Sequence, residues 1–213
     1  LMKKMILNFS VVFGCMIACS LSFAAGDADL GKPKTAMCSG CHGSDGNSAV
    51  ASFPKLAGQG EKYLTKQLKD VKSGRRNIAS MTGILDSFSD QDLADIAAYY
   101  ASQNIQISGA KEDNLDKGEA IYRGGNIETG VAACTGCHSP AGQGNSPAGY
   151  PLLGGQHAQY TAKQLRAWRT GAHDPQNKDA RINDGDSKIM RGVAEHMSDV
   201  EIDAVANFIA GLK

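Results

Sequence analysis

The sequence predicts an all-α fold built from two tandem copies of one helical unit, and three observations predict it. The pentapeptide C-x-x-C-H occurs twice, as Cys38-Ser39-Gly40-Cys41-His42 and Cys134-Thr135-Gly136-Cys137-His138. The residues that follow each copy repeat in step, so that PKLAGQGEKYLTKQLKDVKSG (Pro54 to Gly74) matches PLLGGQHAQYTAKQLRAWRTG (Pro151 to Gly171) at a constant offset of 97. Apolar residues recur at helical spacing and strand signals are absent. Farther on, FSDQDLADIAAYYAS (Phe88 to Ser102) matches MSDVEIDAVANFIAG (Met197 to Gly211) at an offset of 109. The second copy therefore carries twelve extra residues between Gly171 and Ile189.

Residues 1–25 read as a secretory signal peptide. Lys3 and Lys4 form a positive start, Met5 to Leu21 is apolar, and Ser22-Phe23-Ala24 leads to a cleavage point near Ala24 or Ala25. A membrane span would need ~20 apolar residues, so the expectation is export to a bacterial periplasm. Cys19 follows Ala18, but Met16 and Ile17 fit a lipoprotein motif poorly. Two domains then follow, 26–103 and 116–213, joined by a linker over 104–115 that contains Ser108, Gly109 and a charged run.

Within each domain a first helix leads into the pentapeptide, at Leu30 to Met37 and Lys117 to Arg123. A second runs from Tyr63 to Lys72 and from Tyr160 to Thr170, with Gly74 and Gly171 as the stops. The last helix opens on a capping box, Ser89-x-x-Asp92 or Ser198-x-x-Glu201. Leu93, Ile96, Ala97 and Tyr100 form its apolar stripe in the first copy, and Ile202, Val205, Ala206 and Ile209 in the second. The glycine-rich stretch Gly142 to Gly155 fits a loop around a flat cofactor better than a regular element.

C-x-x-C-H is the attachment signature of c-type haem. Two intervening residues let both thiols reach the vinyl groups of one porphyrin, and the next histidine lies under the iron. A thioredoxin-like pair would sit near a βαβ pattern, which is absent. Structural zinc would explain the cysteines but not the histidine after each pair. Once residues 1–25 are gone, the four remaining cysteines all belong to the two motifs, leaving none for a structural disulfide.

A six-coordinate carrier needs a ligand opposite each histidine. The candidates are Met37, Met81, Met190, Met197, His157, His173 and His196. Equivalent sites should carry equivalent ligands. Met37 aligns with Ala133, Met197 with Phe88, His157 with Gly60 and His196 with Ser87, while His173 has no clear counterpart. Only Met81 and Met190 pair with each other, at the offset of 109. They are read as ligands; Met37 and Met197 as core filling, and the three histidines as solvated or capping residues.

CSGCHGSDGNS followed by FPKLAGQGEKYLTKQL resembles the cytochrome c4 family of dihaem class I c-type cytochromes, and the likeness covers the whole chain after the signal segment. It implies two class I cytochrome c domains about a pseudo-twofold axis, one covalent haem each, with propionate edges close together. It implies iron held by His42 with Met81 and by His138 with Met190, and porphyrin held by Cys38, Cys41, Cys134 and Cys137. It also implies that the carbonyls of Pro54 and Pro151 accept a hydrogen bond from the proximal imidazoles.

Lysine and arginine number 22 against 22 acidic residues, and loss of Lys3 and Lys4 leaves a formal charge of −2. That balance excludes a basic nucleic-acid footprint. It makes no strong electrostatic case for an anionic membrane and leaves peripheral membrane association open. The expected function is outer-sphere electron transfer between redox proteins, with no small-molecule substrate and no catalytic residue. The donor would be a cytochrome complex or a dehydrogenase, and the resemblance implies a haem–copper oxidase as acceptor. The alternatives are the cytochrome subunit of a flavin-containing sulfide dehydrogenase and a dihaem redox enzyme with one labile iron site. Lys62, Lys66 and Lys69, with Lys72, Arg75 and Arg76 beyond, form a stripe read as a solvated face or a docking surface.

Overall fold

Each half is organised around a crossing of its first and last helices, and a glycine sets each crossing. The computed structural model describes residues 25–213, so the expected signal segment, with Cys15 and Cys19, lies outside the described residues apart from Ala25. In the first half α1 (Ala28–Gly31) packs on α4 (Asp90–Ala101). A Cβ on Gly31 would lie 2.0 Å from the carbonyl oxygen of Asp95. In the second half α5 (Leu115–Gly124) packs on α9 (Asp199–Gly211), where a Cβ on Gly118 would lie 2.2 Å from the Ala204 oxygen. Only a residue without a side chain lets backbones approach so closely.

Between these pairs lie α2 (Ser39–His42) and α3 (Glu61–Lys72) in the first half. The second half has α6 (Thr135–His138), α7 (Ala158–His173) and α8 (Ile189–Ala194). Both capping boxes form, and every residue of the two predicted stripes is buried. Among the described residues the only β-pairing is two isolated bridges, Asn126 with Val131 and Asn145 with Tyr150.

Two predicted helices differ from expectation. Leu30 to Met37 is not one α-helix, because Pro33 lacks an N–H and the chain tightens into a 3₁₀ turn over Lys32–Thr35. Gly74, at φ +76°, follows the end of α3 as expected, but Gly171 lies inside α7. A Cβ there would meet the Arg181 oxygen at 2.3 Å, so Gly171 admits the inserted segment rather than stopping the helix.

The aromatic cores are equivalent but not identical. Tyr99 and Tyr100 pack together in the first half, with ring centroids 5.3 Å apart. Phe208 takes the place of Tyr99 in the second, and its partner Tyr122 comes from α5 instead of the last helix, at 5.5 Å. The linker is not loose: Gln106 donates to Asn47 Oδ1, Ser108 to the Gly155 carbonyl and Gly109 to that of Ala210, binding it to both halves. No described helix is long and apolar enough to cross a membrane.

Candidate functional site

The two pentapeptides fold into single helical turns, α2 and α6. Cys41 and His42 donate backbone N–H groups to the Cys38 carbonyl at 3.2 and 3.0 Å, and Cys137 and His138 to that of Cys134 at 3.2 and 2.9 Å. Cys38 packs against the Ile96–Tyr100 core and Cys134 against the Tyr122–Phe208 core. The motifs thus sit on the helix crossings, which hold them rigidly.

Among the described residues no disulfide joins any of the four cysteines, Cys38, Cys41, Cys134 and Cys137. Burial pushes Cys38 up from its ordinary value and Cys134 up to about 11. A thioredoxin-type nucleophile needs the opposite shift. Among the described residues, no three His, Cys, Asp or Glu side chains converge as a group that could hold a metal ion.

His42 and His138 are buried, and each Nδ1 donates to a proline carbonyl, Pro54 at 2.9 Å and Pro151 at 3.0 Å. Burial lowers both imidazoles below their ordinary pKa against the opposing pull of these carbonyls, which favours the neutral form that binds metal. Edge contacts with Phe53 (6.1 Å) and its counterpart Tyr150 (6.3 Å) orient the rings. Each Nε2 has no hydrogen-bond partner among the described residues, so the nitrogen suited to iron is unclaimed. Pro151 lies 13 residues from its histidine and Pro54 lies 12 from its own, yet both contacts form.

Met81 closes a 3₁₀ turn, Ala79–Met81, and Met190 is the second residue of α8; both are half-buried on the segment leading to the last helix. Met81, Ile78, Leu85 and Arg76 share the wall of a cavity of about 320 Å³. A thioether, apolar side chains and a guanidinium on one wall suit a porphyrin with acidic substituents. Met197 is core, as expected, whereas Met37 is 58% exposed and fills no core. His157 is neither solvated nor merely capping: it bridges the halves, from Ser48 O at 2.8 Å to Ser108 Oγ at 3.1 Å. His173 bonds the Glu195 carbonyl.

The surface between the halves draws in Arg76 from the end of the predicted stripe, together with Gln67, Gln164, Arg181 and Asn183, which the sequence did not single out. Arg76 donates to Gln67, Tyr160 and Gln164, and Arg181 to Gln164, Tyr63 and Gln67, at 2.9–3.2 Å. Both arginines are buried, and their direct partners are neutral oxygens. Arg181 comes from the insertion, as does Asn183, which bonds Gln67 and Asp70. Its guanidinium also lies 4.3 Å from the centre of the buried Trp168 ring. The α3 stripe is engaged internally: Lys62 bonds Pro147 O, Lys66 bonds Asp70 and Asn183 O, Lys69 bonds Asp90, and Lys72 bonds Phe88 O. Lys62, Lys66 and Arg75 nevertheless stay exposed, so the stripe is a solvated face whose charges are also tied to neighbouring segments.

The cytochrome c family model matches residues 31–104 and 115–213. Cytochrome c4 of Pseudomonas aeruginosa is 50% identical over 211 residues, covering 99% of this chain and 100% of that protein. The chain belongs to the cytochrome c4 family. The solved structure of reduced cytochrome c4 from Pseudomonas stutzeri superimposes with a TM-score of 0.83 at 51% identity, over 89% of this chain and all of that one. A thiosulfate dehydrogenase electron acceptor of Stutzerimonas stutzeri is 36% identical over 184 residues, 84% of this chain and 81% of that protein. As a cytochrome c4 family member the chain is a dihaem electron-transfer cytochrome, with covalently bound haem c in two cytochrome c domains.

Proposed function

We propose that the chain carries electrons between respiratory proteins in the bacterial periplasm, towards a haem–copper terminal oxidase, by outer-sphere transfer at two His/Met centres. The observation that carries this reading is the equivalence of the two halves. Each presents a buried histidine bonded through Nδ1 to a proline carbonyl, and a methionine on the segment before its last helix. Cys38 and Cys41 would hold one porphyrin and Cys134 and Cys137 the other, with His42 and Met81, and His138 and Met190, on the irons. Bound there, haem supplies a reversible one-electron couple, whose potential a thioether ligand raises relative to bis-histidine.

The chain's own residues keep each imidazole neutral, buried and fixed in orientation. Arg76 and Arg181, buried with neutral oxygens as their direct partners, would supply positive charge suited to a porphyrin's acidic substituents. With both axial positions filled, no substrate needs an open iron and no acid–base group is required. This argues against the dihaem enzyme with one labile site. The test is the far-red charge-transfer band of ferric His/Met haem, counted per haem. A full complement is expected; half a complement with a high-spin signature would overturn the carrier reading.

The likeness to a thiosulfate dehydrogenase electron acceptor supports a second reading of the donor, as a sulfur-oxidising dehydrogenase. Rapid-mixing reduction of the oxidised protein by candidate dehydrogenases distinguishes the two donors. Copurification with a flavoprotein would instead favour the sulfide dehydrogenase subunit. Amino-terminal sequencing of the protein from a periplasmic fraction tests export and cleavage near Ala24 or Ala25.

A further inference from the structure

Two buried glutamines reach across the seam between the halves and take hold of the peptide next to each proximal proline. Gln156 accepts from Lys55 N–H at 2.9 Å and donates to Lys55 C=O at 2.9 Å. Gln59, its equivalent 97 residues earlier, accepts from Leu152 N–H at 2.8 Å and donates to Leu152 C=O at 3.0 Å. Each Oε1 also takes the N–H of its own next residue, His157 at 3.0 Å or Gly60 at 3.1 Å, which fixes the direction of the amide. The glutamines are 5% and 6% exposed.

Lys55 N–H and Pro54 C=O belong to one peptide group, as do Leu152 N–H and Pro151 C=O. The bonds therefore run in series, from His42 Nδ1–H through the Pro54–Lys55 peptide to Gln156, and from His138 Nδ1–H through the Pro151–Leu152 peptide to Gln59. We infer that Gln59 and Gln156 are positioning residues that set the reduction potential of the haem in the opposite domain. When the glutamine oxygen accepts from the peptide N–H, electron density moves to the peptide carbonyl, which then accepts more strongly from the imidazole. The ring becomes richer at Nε2 and a better donor to iron, which favours the ferric state. The path is crossed: Gln156 acts on His42, and Gln59 on His138. Closing the seam lowers both potentials at once.

The inference rests on His42 and His138 being the iron ligands, and its test separates the two claims. Holoprotein carrying Gln59→Leu is titrated spectroelectrochemically, with each wave assigned to its domain by NMR of the haem substituents. The His138 haem is expected to shift upward by about threefold in its one-electron equilibrium, roughly 30 mV at about 59 mV per tenfold. The His42 haem stays in place, and Gln156→Leu gives the mirror image. The reduced-state Nδ1–H resonance of the opposite histidine moves with the potential, a readout that simple loosening of the seam would not select. Gln59→Asn and Gln156→Asn keep a polar group but withdraw it, and are expected to shift the same haems in the same direction. A shift on the glutamine's own domain, equal shifts on both, or none would overturn the inference. In the unaltered holoprotein, slow exchange of the Lys55 and Leu152 amide protons is also required, and fast exchange of either refutes the relay without any variant. A missing far-red band in the unaltered protein would instead refute the ligand assignment.

Discussion

Gly118→Ala isolates the role of the helix crossing. In an unobstructed helix, alanine for glycine adds about 1 kcal/mol of stability. At Gly118 the new methyl would lie 2.2 Å from the Ala204 oxygen and 2.8 Å from Phe208 Cβ, inside the 3.0 Å floor of real Cβ contacts. The helix α5 must withdraw from α9 by roughly 1 Å, a gap that forfeits about a quarter to a half of each contact across it. Ile121 and Tyr122 on α5 are 4% and 0% exposed, and each contributes about 1.5–3 kcal/mol by burial. With overpacking strain of ~1–3 kcal/mol added and the helical gain subtracted, the net cost is about 2–4 kcal/mol. With the seam coupling both halves into one unfolding unit, that lowers Tm by roughly 4–16 °C. Gly192→Ala is the control, since a Cβ there meets nothing within 4 Å, and it should gain about 0.5–1 kcal/mol. Thermal unfolding of the oxidised holoprotein, followed by circular dichroism and haem absorbance, measures both. A Gly118→Ala protein melting at or above the parent temperature would refute the reasoning.

Ser89→Ala and Ser198→Ala each remove the oxygen that accepts from the third helical residue, and should cost about 1 kcal/mol in denaturant titration. Arg181→Met strips donors from Gln164, Tyr63, Gln67 and Asn183, and should cost about 2–4 kcal/mol and split unfolding into two transitions. Arg181→Lys should recover little of this, because an ammonium cannot reproduce the planar fork. Burial pushes the Asp70 carboxyl up, but hydrogen bonds from Lys66, Asn183 and Arg75 outweigh it and hold the group below its ordinary value. Its contribution is therefore complete above about pH 4, the unfolded value, and is lost as pH falls through the lower folded value. The stability difference between parent and Asp70→Asn should be flat above about pH 5 and shrink on acidification; a difference that grows towards low pH would contradict the assignment.

Local chemistry was the most legible part of the sequence. The capping boxes at Ser89 and Ser198 and the stripes from Leu93 and Ile202 formed as read, because each depends on residues within one or two turns. The Pro54 and Pro151 carbonyls bond the histidines as the family resemblance implied. What depends on close approach between distant segments was not legible: Gly171 looks like a helix stop until Arg181 is found against it. Lys62 and Lys66 looked free because Pro147 and Asn183 are 85 and 117 residues away. A signal for the seam was present, since Gln59 with Gln156, Tyr63 with Tyr160 and Gln67 with Gln164 repeat at one offset. Polar residues that recur without a role in the local fold point to a shared surface. Arg181 was harder to find, because it lies 105 residues after Arg76, between the two offsets, and splits the twelve extra residues into eight before it and four after.

Synthesis runs from the amino end, so the first half exists for a time with no second half beside it. The face it will later close carries Gln59, Tyr63, Gln67 and Arg76, groups that water can satisfy in the interval. An apolar face of the same extent would invite association with other nascent chains at that stage. The polar seam lets an unfinished molecule wait in solution, and it closes only when the second half brings its own amides and guanidinium to replace the water.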